Sequence, residues 1–457
     1  MNQDSHQQRV NFSSRIGYVM AAAGSAVGLG NIWRFPYLAA KYGGGSFLII
    51  YLILVYTFGY TMIMSETTLG RMTQKSPVGA FRHFGDSFSY KFGGWINAVI
   101  PMIIVSYYSV IGGWVLKYLV SYVTGQTKAM ANDVFFSHFI GQSAPTEIYF
   151  LIFTAITILV ILIGVQKGIE RISKIGMPVL IVLGIFVAIY SMTRPGAVEG
   201  IKYFFIPNFH NFSWMTIVAA MGQMFYSLSI AMGILYTFGS YLTKDMDIEK
   251  STSQVEFFDT AIAVLAGLMI IPAVFAFSGG TPKALQVGPS LMFVTIPKVF
   301  ASMGLGTIAG IAFFLLVFIA ALTSAIALAE SAVSTFEDEL GMGRISATLL
   351  ITVIIVGLGS LSSLGYSVLG GIKVLGMDFL DFFDFISNSV MMPIAAIATC
   401  VLILRRVSLQ TIADEIKISS EFKRQKIYNL FIKYFCIIFL AIILISSVLN
   451  VFGIIKM

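Results

Sequence analysis

AAAGSAVGLGNIWRFP, residues 21–36, has the apolar character of a membrane-crossing helix, but Gly24, Gly28 and Gly30 fall in its middle. Each glycine weakens a helix by about 1 kcal/mol relative to alanine. A second stretch, GQMFYSLSIAMGILY at 222–236, is interrupted in the same way around Ser227, Ser229 and Gly233. Taken singly, either stretch fits close packing of helices through small residues. The two lie five apolar segments apart, however, and so run in opposite directions. Interruptions at matching places in two oppositely oriented halves predict an inverted repeat with a binding site where both helices unwind. Unwound backbone survives at membrane depth only where it lines a cavity or is buried in protein.

The rest of the chain agrees with a membrane setting. Of 457 residues, 57% are hydrophobic and only 11% charged, and the mean hydropathy is +0.86. An ordinary soluble domain carries about 25% charged residues. Apolar windows predict spans at 14–39, 43–70, 92–123, 146–165, 168–192, 213–242, 251–278, 305–336, 345–363, 376–403 and 428–455. The expectation is an all-α polytopic membrane protein of about eleven helices, with spans one and six broken. Residues 279–303 are too polar to cross and read as an outer loop containing a short helix or hairpin.

Charge placement gives the orientation. With the N-terminus inside, the inner loops hold Arg71, Arg82, Arg171, Arg405, Arg406 and Arg424 among many basic residues, and the outer segments hold fewer. The expected order is a cytoplasmic segment 1–13, a first five-helix repeat 14–192 and an inverted repeat 213–403. A cytoplasmic loop 404–427 and an eleventh helix with external C-terminus, 428–457, follow. The setting is the plasma (inner) membrane. The polar start MNQDSHQQRV carries no cleavable signal, so the first apolar segment starts insertion.

The net charge of +7 is this loop bias and not a nucleic-acid surface. Cys400 and Cys436 sit in apolar stretches, and the four histidines have no metal-ligand spacing. No nucleophile–base pair lies in the spans, which argues against an enzyme; no repeated filter segment suggests a channel.

GSAVGLGNIWRFPYLAAKYGGGSF at 24–47 closely resembles the first helix and loop of the neurotransmitter:sodium symporter family, which includes bacterial amino-acid members of the leucine transporter type. The resemblance continues through SETTLGR (65–71), VSYYSVIGGW (105–114), ALTSAIALAE (321–330), FEDEL (336–340) and FLDFFDF (379–385). It covers about residues 9 to 405, and eleven spans look like the shorter bacterial members.

This resemblance implies sodium-driven uptake of an amino acid by alternating access, with two sodium sites. Sodium is a hard cation that takes oxygen ligands. The first site would use the Ala26 carbonyl, the Asn31 amide, Ser227, the substrate carboxylate and Asp259. A carboxylate inside a span costs about 2.5–3.5 kcal/mol and is a functional-site candidate by default. Asp259, with Tyr51, Gln223 and Ser227 around it, would supply the negative charge that other members take from chloride, so chloride is not required. The second site would use the carbonyls of Gly24, Val27 and Ala320 with the hydroxyls of Thr323 and Ser324. From spacing alone, those hydroxyls bond equally well to their own helix.

Arg34 with Asp384 would form the outer gate, and Arg9 with Asp338, helped by Tyr241 beside Phe12, the inner one. Glu66 would brace the unwound part of span six. Gly168 and Pro178 can unwind the start of span five. The substrate would contact Ala26, Leu29, Gly30, Ile104, Tyr108, Tyr226, Ser227, Ser229, Met232, Ala325 and Leu328. With no charge on those side chains, the expected partner besides lipid is a hydrophobic L-amino acid, aromatic or large aliphatic. No obligatory protein partner is evident.

Overall fold

A computed structural model describes residues 11–208, 210, 212–279 and 289–454. Its architecture is helical, with isolated bridges such as Gly44 to Pro207. Among the described residues, nine helices are long and apolar enough to cross a membrane, and a bent pair makes a tenth. Span one is that pair, Arg15–Ala26 and Gly30–Lys41, bent by 54°. Spans two to five are Gly45–Thr73, Phe88–Val123, Ser143–Ile163 and Val165–Met192. Spans seven to eleven are Ile248–Ser278, Gly306–Leu340, Arg344–Leu364, Phe379–Val407 and Gln425–Val451. The sequence's sixth span is Trp214–Ser227 followed by Ile234–Ser240, neither half long enough to cross alone.

Polar residues at the ends set where the helices start. Ser14 caps span one through Gly17 N–H at 3.1 Å, and Asp247 caps span seven through Lys250 N–H at 2.8 Å. Ser213 and Thr216 form a capping box at span six, where each side chain satisfies an otherwise unpaired amide. The segment 279–303 contains the short helix Leu291–Ala301, as its composition suggested. Span five differs from expectation: it stays helical through Gly168 and Pro178, with only a widened π-type turn over Val165–Glu170.

Spans three and eight pack together at the centre, and the first half of span one lies against spans five, seven and eight. Spans four, five, nine and eleven turn large apolar side chains outward, among them Leu159, Val182, Val353 and Ile445. Span two meets the second half of span six backbone to backbone. A Cβ at Gly70 would come within 2.1 Å of the Tyr236 carbonyl oxygen, and one at Gly239 within 2.4 Å of that of Thr67.

Candidate functional site

The two helix breaks face each other. Span one leaves the helix at Val27 and Gly28, and span six runs non-helically from Leu228 to Gly233. Ser229 and Ala231 adopt φ of 54° and 59°, a left-handed backbone that costs a non-glycine residue of order 1–3 kcal/mol. Two contacts hold this strain. The Ser229 hydroxyl donates to the Ser25 carbonyl at 3.2 Å, and the Ala231 N–H donates to Glu66 Oε1 at 2.9 Å. Glu66 therefore braces span six, the role its place in span two suggested.

Asp259, fully buried in span seven, closes one side of the breaks. Its Oδ1 accepts from Asn31 Nδ2 at 2.8 Å and from the Ser227 hydroxyl at 2.8 Å. Its Oδ2 accepts from Tyr51 at 3.2 Å. Gln223 donates to the Gly30 carbonyl at 3.0 Å, and its own Oε1 is buried without a hydrogen-bond partner. The result is one carboxylate ringed by two hydroxyls and an amide, neutral groups whose oxygens together with the carboxylate suit a hard monovalent cation. Ala26 lies at the same break, on the wall of the adjoining cavity.

On the opposite side, span eight presents Thr323 and Ser324 to the end of span one's first half. The Ser324 hydroxyl crosses to the carbonyls of Ser25 at 3.0 Å and Gly24 at 3.4 Å. Thr323 bonds back to its own helix, to Ile319 and Ala320 carbonyls at 3.0 and 3.2 Å. Span one still lies directly on it: a Cβ at Gly24 would be 3.3 Å from Thr323 Cβ. Val27, named with these residues, is the buried residue that ends the first half-helix.

Between these two oxygen clusters lies a cavity of about 30 Å³, lined by Ala26, Leu29, Gly30, Ile104, Tyr108, Tyr226, Ser227, Ser229, Met232 and Leu328, all expected from the sequence. Ser25, Gly28, Asn31, Ile234 and Ser324 line it as well. Ala325 is buried but does not line it. Ala325 follows Ser324 by one residue, about 100° round the helix, and falls outside the wall that Ser324 and Leu328 form. The Tyr108 hydroxyl accepts the Leu29 N–H at 3.2 Å. Space of this size takes only a few waters, so a larger solute enters only as side chains of the wall such as Tyr226, Met232, Ile104 or Leu328 shift.

Tyr226 separates this cavity from a second of about 440 Å³, which includes Trp33, Arg34, Tyr107, Leu380, Asp381 and Asp384 in its wall. The Arg34 guanidinium sits 5.3 Å from the Tyr226 ring centroid. Asp384 accepts from Tyr107 at 3.0 Å and Asn388 at 2.5 Å. Arg34 and Asp384 thus share one cavity wall, with no direct ion pair between them among the described residues.

On the other side, Phe12 packs edge-on against Tyr18, Phe238 and Tyr241. The sequence missed the pair beneath it. Glu330, fully buried, accepts from Tyr241 at 2.7 Å and from both arms of Arg344, at 2.7 and 3.2 Å. The signal was a lone carboxylate in the apolar run ALTSAIALAE. Asp338 accepts the Ser76 N–H at 2.6 Å; its expected partner Arg9 lies outside the described residues.

Two broken helices crossing at a buried, oxygen-lined cavity, with a closed wall of side chains on each side, define a membrane transporter. Residues 9–134 and 134–455 match the Sodium:neurotransmitter symporter family, and the chain belongs to it. It is 35% identical over 457 residues to the uncharacterized sodium-dependent transporter YhdH of Bacillus subtilis, covering 99% of this chain and 100% of that one. A sodium-dependent transporter of Haemophilus influenzae is 34% identical over 87% of this chain and 89% of its own. The crystal structure of MhsT in complex with L-phenylalanine superposes with a TM-score of 0.86 at 38% identity, covering 96% of this chain and all of that one. The protein is therefore a sodium-dependent transporter and not an enzyme.

Proposed function

We propose that the protein takes up hydrophobic L-amino acids, aromatic and large aliphatic, together with sodium by alternating access. The observation that carries the substrate class is the cavity wall: Ile104, Tyr108, Tyr226, Met232, Ile234 and Leu328 surround the breaks, and no charged side chain is among them. A charged substrate side chain there would be buried unpaired at a cost of several kcal/mol. The similar chain MhsT was crystallised with L-phenylalanine, which supports the same class.

In this reading the α-carboxylate meets the amides of Leu29 and Gly30 and takes over the Tyr108 hydroxyl. The ammonium meets the Ala26 carbonyl and the Ser229 hydroxyl. One sodium is held by Ala26, Asn31, Ser227 and Asp259 with the substrate carboxylate, the other by Gly24, Val27, Ala320, Thr323 and Ser324. Asp259 supplies the fixed charge, so chloride is not needed. Arg34 and Asp384 close the outer exit, and Phe12, Tyr241 and Asp338 contribute to the inner one. Residues 14–192 and 213–403 act as the two repeats in the plasma membrane, with the N-terminus cytoplasmic and no protein partner required.

The deciding experiment is competition by all twenty amino acids for sodium-dependent binding to the purified protein. Leucine, phenylalanine and tyrosine should compete best. If glutamate, lysine or γ-aminobutyrate competes better, the assignment is wrong.

A further inference from the structure

The start of span one is fastened to span five chiefly through one carboxylate that takes no part in the sites above. Glu170, 1% exposed, ends the widened turn Val165–Glu170. Its Oε2 accepts the Ser13 N–H at 2.8 Å. Its Oε1 accepts the Ser13 hydroxyl at 2.5 Å and the Ser14 hydroxyl at 3.3 Å. Lys174 approaches Oε1 at 2.6 Å from the wetter side. Four residues before Glu170, Gln166 donates to the Asn11 carbonyl at 2.7 Å.

The fit is built into both partners. Ser14 is the N-cap of a helix of 12 residues, so Glu170 sits at the end where the helix dipole favours an anion. Gly17 leaves the room: a Cβ there would lie 2.0 Å from Glu170 Oε1. A carboxylate withdrawn from water is tolerated only when paired and fully hydrogen-bonded, and here the bonds come chiefly from the segment it holds.

We propose that Glu170 is a clasp that positions the first half of span one and thereby sets the strength of sodium binding between spans one and eight. The geometry makes the connection. From Ser13 to Gly24 is about 16 Å along the helix; at that far end Ser324 reaches the Gly24 and Ser25 carbonyls. Opening the inner side by moving this half-helix parts Ser13 from Glu170 as well as Phe12 from Phe238 and Tyr241. Free energy spent at the clasp is therefore shared with the sodium site by linkage. Glu170 acts here as a positioning residue, and this rests on the reading of the cluster at Ser324 as a sodium site.

Hydrogen exchange of the purified full chain tests this with sodium alone as the probe. In the wild type, sodium should slow amide exchange across residues 11–26. Glu170→Gln should speed that exchange by about fivefold or more and raise the sodium concentration that half-protects the segment about threefold or more. Ser13→Ala should shift both in the same direction and add nothing further in the Glu170→Gln background. Exchange unchanged within about twofold in both variants overturns the clasp. So does faster exchange with an unmoved sodium midpoint, which would make Glu170 a purely structural anchor. If Glu170→Gln fails to fold, Ser13→Ala with Ser14→Ala, on the exposed side of the contact, decides by the same readings. Absence of sodium protection in the wild type would count against the sodium-site reading itself, while the exchange rates still judge the contact between Ser13 and Glu170.

Discussion

The Ala231 amide, held at a φ of 59° in the unwound part of span six, donates to Glu66 Oε1 at 2.9 Å. The carboxyl oxygen of a neighbouring span thus does what the next turn of helix does elsewhere. Glu66→Ala strands a buried N–H, at about 1–3 kcal/mol; phenylalanine binding should weaken about tenfold. Glu66→Gln keeps an acceptor in place and should stay within about threefold of wild type. Isothermal titration of the two variants separates the outcomes, and equal losses would contradict the brace.

Replacing Ala231 by glycine relieves the left-handed strain, worth of order 1 kcal/mol, and frees the backbone beside Met232. Binding of phenylalanine, tyrosine and tryptophan should strengthen relative to leucine, read from displacement curves on one preparation. A preference moving toward leucine would contradict this account of the pocket.

Asp259→Ser removes the carboxylate that Asn31, Ser227 and Tyr51 address. Uptake by reconstituted vesicles should become dependent on chloride, which can stand in as a mobile charge. Full activity of this variant in gluconate buffer would sink the assignment.

Ser324→Ala loses a hydrogen bond between spans one and eight as well as a proposed ion ligand, whereas Thr323→Val loses a hydroxyl that bonds within its own helix. Half-saturating sodium should rise in both, and more in Ser324→Ala, by roughly threefold to tenfold for a contact worth about 1 kcal/mol. Sodium titrations of substrate binding give the order directly.

Arg344→Met leaves Glu330 buried without its ion pair, a change of about 3–5 kcal/mol. Thermal melting should show a large loss of stability, and the added Glu330→Gln should restore most of it. Additive losses in the double variant would mean that the two side chains act independently.

Much of this was legible in the sequence because membrane helices announce their ends. Gly24, Gly28 and Gly30 mark a place where helix is weak, and the chain bends there; Ser227 to Gly233 mark the matching place in span six. Asp259 stood out as a carboxylate inside an apolar run. The remainder depended on rotation about a helix axis or on partners far apart in the chain. Ala325 differs from Ser324 by one residue, which is enough to turn it off the cavity. Thr323 had two equivalent hydrogen-bonding choices, and only the approach of span one distinguishes it from Ser324. Glu330 and Arg344 lie on different spans, so neither predicts the other until the turn between them is known.

The backbone contact at Gly70 and Gly239 has a mechanical consequence. At Gly70 and Gly239 no side chain separates span two from Ile234–Ser240, so rolling or sliding there meets backbone and the two travel as one strut. In the proposed alternating access, the compliance of span six falls on Leu228–Gly233, as that of span one falls on Val27 and Gly28. In the proposed reading the substrate binds at that joint, so the cargo rides at the pivot and feels every change of its angle.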